Sequence, residues 1–246
     1  MALPTMTRLR PSVTASIFGV WATCVCVSLA RAQTARATDT TAIARGEDGR
    51  ERQAWIASSA ALAVALEFDE RLRSIALANR TRELDRLASG ADVLGTAGHI
   101  VPALLTTYVG ARLFGERSFA AATLRVGLSY AAADGVESLL KPAVGRVRPD
   151  VGREPLTFQP FTVNGAYHSF PSAHVVHIAS VASAIAMEVN RPWANVLAGA
   201  AMTYVGAQRV YRDQHWTSDV IASGMLGVEV ARLTMRWLTQ RSRSGA

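Results

Sequence analysis

A chain of 246 residues, half of them hydrophobic and with only 18 glycines and 9 prolines, is long enough for one well-packed domain and is neither collagen-like nor disordered in composition. Its formal charge of +7 is dispersed, with no basic run of the kind that tracks nucleic acid, so no nucleic-acid partner is expected. Both cysteines, Cys24 and Cys26, lie near the start, which leaves the rest of the chain without a disulfide framework, a zinc–thiolate site or a cysteine nucleophile.

Residues 1–32 read as an export signal or an uncleaved anchor. Arg8 and Arg10 precede an uncharged stretch, and Ala30-Arg31-Ala32 gives a small-x-small cleavage pattern. Arg8, Arg10 and Arg31 carry three of the positive charges with no acidic residue beside them, so the remainder holds +4. Residues 33–52 are polar and rich in Ala, Thr and Arg, a linker composition. Residues 53–92 read as peripheral helices. The apolar run 55–68 is short for a bilayer at about 1.5 Å per residue. The run 69–87 sets Leu72, Ile75, Leu84 and Leu87 among many charges, as in an amphipathic helix.

The helical core is assigned to residues 93–240. Five segments are expected, at 93–114, 119–140, 175–189, 193–210 and 216–238, the second stopped by Pro142. No period-two alternation competes with them. The fold class is therefore all-α: a helical bundle, expected to span a membrane, with its functional mouth at one end. Ala- and Gly-rich faces suit close packing in lipid, and equally in a soluble bundle.

Three stretches carry the chemistry. The first runs from Lys141, the only lysine in the chain, to Arg148-Pro149. The second is Pro171-Ser172-Ala173-His174 and the third runs from Arg209 through His215 to Asp219. Each falls at a junction between expected helices. In an up-and-down bundle with short connections, the three junctions meet at one end.

The residue types there suit an oxyanion. Lys141 offers a point charge, and Arg148 and Arg209 offer planar forks. Ser172 offers a hydroxyl, and a helix starting at Ala173 offers free backbone N–H groups. His215 and Asp219 are four apart, so on a helix they share a face and the carboxylate can fix the imidazole as a nucleophile. His174 is a second imidazole suited to acid catalysis. The sum is a phosphoryl-transfer site in which fixed cations neutralise the charge, with no metal and no cofactor expected. His177 and His168 are left without a role, and Trp216 and Tyr211 are expected to pack.

These stretches resemble the three-part signature of the type 2 phosphatidic acid phosphatase superfamily: K-x6-R-P, then P-S-G-H, then S-R-x5-H-x3-D. Lys141, Arg148 and Pro149 match the first part. Pro171, Ser172 and His174 match the second, with Ala173 in place of glycine. Arg209, His215 and Asp219 match the third, with Gln208 in place of serine. The resemblance implies that His215 is the nucleophile, forming a phosphohistidine, that Asp219 orients it, and that His174 protonates the leaving alkoxide. Lys141, Arg148, Ser172, Ala173 and Arg209 would hold the phosphate. A phosphorylated lipid or small phosphate ester is the implied substrate.

If all five core segments span and the N-terminus is exported, the three stretches face the periplasm and the arginine-bearing C-terminus lies inside, in keeping with the positive-inside tendency. This favours an inner-membrane enzyme. A soluble periplasmic acid phosphatase is the alternative. A vanadium haloperoxidase or an inactive membrane scaffold stands further off, because the chain is short for the first and the intact set of charged residues argues against the second.

Overall fold

The computed structural model describes residues 40–244; the expected export signal lies outside them. Seven α-helices follow one another among the described residues: α1 Thr40–Ala78, α2 Arg82–Gly95, α3 Ala97–Leu113, α4 Arg117–Val144, α5 Ala173–Val189, α6 Pro192–Tyr211 and α7 Thr217–Ser244. The all-α expectation holds, and the nearest approach to a strand among the described residues is an isolated bridge between Arg146 and Phe158.

Local chemistry sets the ends. Thr81 caps α2 by accepting from the Leu84 N–H at 3.2 Å, with Glu83 and Asp85 favourably placed in the first turn. Pro192 opens α6, where its missing N–H costs nothing. Gly145 ends α4 in the left-handed region at φ 60°, and a Cβ there would lie 1.8 Å from the Gln159 carbonyl oxygen, so only glycine fits.

Several boundaries differ from the sequence reading. Residues 40–52, expected as linker, belong to α1, which runs on to Ala78, so the amphipathic run 69–87 is divided at Asn79–Thr81. The expected helix 93–114 is broken at Thr96, where α2 and α3 meet at a 52° bend. Pro142 does not stop α4. It sits in the last turn, where only one backbone bond is lost, and the Gly145 N–H closes the end on the Lys141 carbonyl at 3.0 Å.

Helix α5 is central, packed against α2, α4, α6 and α7. Its Val175, Ile178, Ala179 and Ala186 form a core with Ala198, Met202 and Val205 of α6 and Val220, Ile221 and Val228 of α7. Small residues bring the helices close: a Cβ on Gly227 would lie 2.6 Å from the Val176 carbonyl oxygen. No single described helix is long and apolar enough to cross a membrane; α2 and α3 meet that measure only as a bent pair.

Candidate active site

The α4 terminus, the α5 start and the α6–α7 connection converge: Arg146 reaches Asp219, and Ser169 bonds both Asp219 and His215. His215 lies in that last connection, outside any helix and 4% exposed. Its Nδ1 lies 2.5 Å from the Ser169 carbonyl oxygen. A carbonyl only accepts, so Nδ1 carries the hydrogen and Nε2 keeps its lone pair. Burial, and then the nearby positive charges of Arg148, Lys141 and Arg209, hold the imidazole well below its usual pKa, although its bond to Ser169 opposes them. The result is a neutral imidazole facing three cations.

Asp219 does not reach His215. His215 precedes the helix, so the four-residue helical spacing does not apply, and Asp219 stands in the first turn of α7 with its carboxylate directed elsewhere. Its Oδ2 accepts from the Ser169 hydroxyl at 2.5 Å and from the Trp216 backbone N–H at 3.1 Å, the latter closing the start of α7. Its Oδ1 accepts from Arg146 at 2.5 Å. Asp219 is therefore linked to His215 through Ser169: its carboxylate accepts from the side chain of the residue whose carbonyl accepts from the ring.

Arg146, Asp69 and Ser169 are the residues that the sequence reading missed. Arg146 is buried and donates to Asp69, Asp219, Ser218 and the Pro155 carbonyl at 2.8, 2.5, 2.7 and 2.9 Å. Asp69 also accepts from the Ser218 backbone N–H at 2.9 Å. Thus α1, read as peripheral, sends a buried carboxylate under the site. The only signal available was an aspartate ending an apolar run, which is too common to act on.

The phosphate-binding candidates are placed as follows. Lys141 ion-pairs with the buried Glu137, one turn earlier on α4. Arg148 donates from Nε to the Gly165 carbonyl at 3.1 Å. Arg209 is buried and bonds Gln208, Asp92 and, at 2.7 Å, Gln214. Gln208, which stands where the motif has serine, also donates to Asp92 at 3.0 Å and so ties Arg209 to α2. Ser172 is the N-cap of α5; its N–H donates to Ser223 Oγ at 2.7 Å, and its buried hydroxyl has no hydrogen-bond partner. The next amides, of Ala173 and His174, begin the helix and have no intrahelical acceptor.

His174 Nε2 lies 3.2 Å from Thr96 Oγ1, at the break between α2 and α3. The threonine hydroxyl donates to the Asp92 carbonyl at 2.5 Å, so its oxygen accepts from His174. Gly95 makes this approach possible, since a Cβ there would sit 2.7 Å from the His174 Cβ and 3.0 Å from its Cα. Gly95→Ala should displace His174 and lower kcat by roughly 10- to 100-fold with less change in Tm than a core cavity causes, measured by steady-state kinetics and thermal melts.

His177 acquires acidic neighbours that the sequence reading did not foresee. Its Nε2 lies 2.8 Å from Asp134 and its Nδ1 3.2 Å from the Gly95 carbonyl. Asp134, Glu137 and His177 bring ligand atoms within 4.8 Å of one another. Glu137 is engaged by Lys141, so a cation there would have to displace the lysine.

Seven helices, a histidine fixed by a backbone carbonyl and a cluster of lysine and arginine side chains make up the fold and its candidate site. The PAP2 superfamily model matches residues 122–243, and the chain belongs to that superfamily. Among its relatives is lipid A 1-phosphatase of Rhizobium johnstonii, 32% identical over 148 residues, covering 59% of this chain and 54% of the relative. Phosphatidylglycerophosphatase B of Bacillus subtilis is 27% identical over 169 residues, covering 65% of this chain and 78% of the relative. The matched stretch thus spans about half the length of the Rhizobium lipid A 1-phosphatases, 54% and 57% of the two sequences. The fold matches the crystal structure of a transmembrane PAP2-type phosphatidylglycerolphosphate phosphatase from Bacillus subtilis at a TM-score of 0.56 and 20% identity, covering 92% of this chain and 97% of that one.

Proposed function

We propose that the protein is a metal-independent lipid phosphatase, hydrolysing phosphate monoesters or diphosphates of lipids through a phosphohistidine, at a membrane and with its site facing the periplasm. The observation that carries this reading is the neutral His215, fixed as a nucleophile by Ser169 and surrounded by Lys141, Arg148 and Arg209. Lys141 and Arg209 are each held by one carboxylate, Glu137 and Asp92, and with Arg148 they still set positive charge beside His215, where phosphate is the anion the geometry suits.

Nε2 of His215 attacks phosphorus as the bond to the lipid oxygen breaks. Burial, and then the charge of Arg209, hold the His174 imidazole down to a pKa of about 4, so it acts as the acid only once a bound phosphate dianion draws a proton onto the ring, and it then gives that proton to the leaving oxygen. Water then attacks phosphorus and breaks the N–P bond, giving a proton back to His174, releasing inorganic phosphate and regenerating His215. Lys141, Arg148, Arg209 and the first amides of α5 carry the charge of the transferring group throughout.

The lipid part of the reading draws on an apolar cavity of about 350 Å³ between α1, α2, α6 and α7, whose lining includes Leu72, Ile75, Leu87, Ala207 and Val210. Gln208 belongs to the same wall and bonds Arg209, so the cavity adjoins the phosphate site. An acyl chain fits such a wall; a small polar ester makes no use of it. The lipid phosphatase names of the relatives agree.

Purified protein should release phosphate from a panel of lipid phosphates, prefer long chains to short ones, and persist in EDTA. Rapid acid-sensitive, base-stable trapping of labelled phosphate identifies the phosphohistidine. Preference for soluble esters with no chain-length dependence would overturn the lipid reading.

A further inference from the structure

Between Arg148-Pro149 and α5 the chain carries apolar side chains that nothing in the fold covers. Leu156 is 63% exposed, Phe161 87% and Val163 92%, with Phe158 at 47%. Phe161 also holds left-handed backbone at φ 59°, which L side chains avoid on steric grounds. An aromatic ring is thus set outward by an unfavourable backbone conformation and meets no packing in return.

The segment is tied down at its base. Val147 N–H donates to the Thr157 carbonyl at 3.0 Å, Gln159 N–H to Gly145 at 2.7 Å and Arg148 N–H to Ala166 at 2.8 Å. His168 Nε2 lies 2.9 Å from the Thr162 carbonyl oxygen. These bonds hold the tips outward at the rim of the site, beside Arg148, whose Nε bonds Gly165.

We propose that residues 156–163 form a membrane-contact element that sets Phe161 and Val163 into the lipid leaflet beside the phosphate site, where the substrate's headgroup arrives. The proposal rests on the lipid phosphatase reading. Separate protruding tips favour lipid over protein, because a few side chains fall far short of the roughly 1,200 Å² that a stable protein interface buries. Aromatic and aliphatic tips above a polar base suit the boundary between headgroups and acyl chains. Apolar exposure also reaches this end along α4, where Leu139, two residues before Lys141, is 74% exposed.

The test has two independent arms, both on full-length protein in vesicles of phosphatidylethanolamine and phosphatidylglycerol. In the first, Val163→Cys, with Cys24→Ser and Cys26→Ser, carries a bimane fluorophore. A blue-shifted emission quenched by spin-labelled phospholipid is expected. Water-like emission without quenching overturns the proposal whatever the enzyme does, and so does a blue shift that spin-labelled lipid leaves unquenched, which assigns the tip to a protein contact. In the second, Phe161→Ser with Val163→Ser should lower kcat/KM toward phosphatidate in vesicles at least 10-fold, leave hydrolysis of a water-soluble phosphate ester unchanged, and be rescued by Phe161→Leu with Val163→Leu. Equal loss on both substrates, or loss on neither, overturns it. Wild-type inactivity on every phosphate ester overturns the phosphatase reading, while the fluorescence arm still decides membrane contact.

Discussion

His215→Ala should lower turnover by roughly 10⁴-fold or more while the protein still folds, because in the proposed mechanism His215 Nε2 takes the phosphoryl group. The side chain is buried but stands in the α6–α7 connection and makes one hydrogen bond, to Ser169, so its loss leaves a gap beside a loop and outside the helical core clusters. Steady-state kinetics beside a thermal melt decide it; near wild-type turnover would end the assignment. The depressed imidazole pKa adds a pH signature. Protonation disables the nucleophile only well below the ordinary value of about 6.5, so the acid limb of kcat/KM that belongs to His215 lies below that pH. The unfolded chain takes up this proton more readily than the folded one. Stability that is complete above pH ~6.5 should therefore decline as pH falls below it, and His215→Ala should reduce that decline.

Arg146→Ala should cost roughly 3–5 kcal/mol of stability, among the largest effects expected of any single substitution in this chain. It leaves Asp69 and Asp219, exposed by 1% and 0%, buried without their cation. Arg146→Lys should recover only part, because one ammonium cannot reach four acceptors that a planar guanidinium serves together. Activity should fall as well, since the network fixes Asp219, Asp219 fixes Ser169, and Ser169 fixes the His215 ring. Denaturant melts in detergent measure the first effect, and kinetics at a temperature where the variant is folded measure the second. A variant as stable as wild type would show that the buried pair does not hold the site together.

Spacing within one stretch is a local property, so the sequence carried it. Lys141 to Arg148-Pro149, Pro171 to His174 and Arg209 to Asp219 were each legible, and their position at helix junctions pointed to one end of the bundle, although the α4–α5 connection, residues 145–172, proves long. Their partners across the bundle were not. Asp69 lies 77 residues from Arg146, and Asp92 117 residues from Arg209, in a region whose charges read as those of an exposed amphipathic helix. The inferred contact between His215 and Asp219 failed for a related reason: it assumed that both residues were helical, whereas α7 begins two residues after His215.

By itself the sequence determined the all-α class, the three motif stretches and the chemistry of their side chains, because helical periodicity and motif spacing are written over a few turns of chain. Only the tertiary structure decided the break at Thr96 that brings α2 to His174, the Ser169 link between Asp219 and His215, and the burial of Arg146 between two carboxylates. Those features depend on which helices pack together and how closely, and that is set by interactions among residues far apart in the chain.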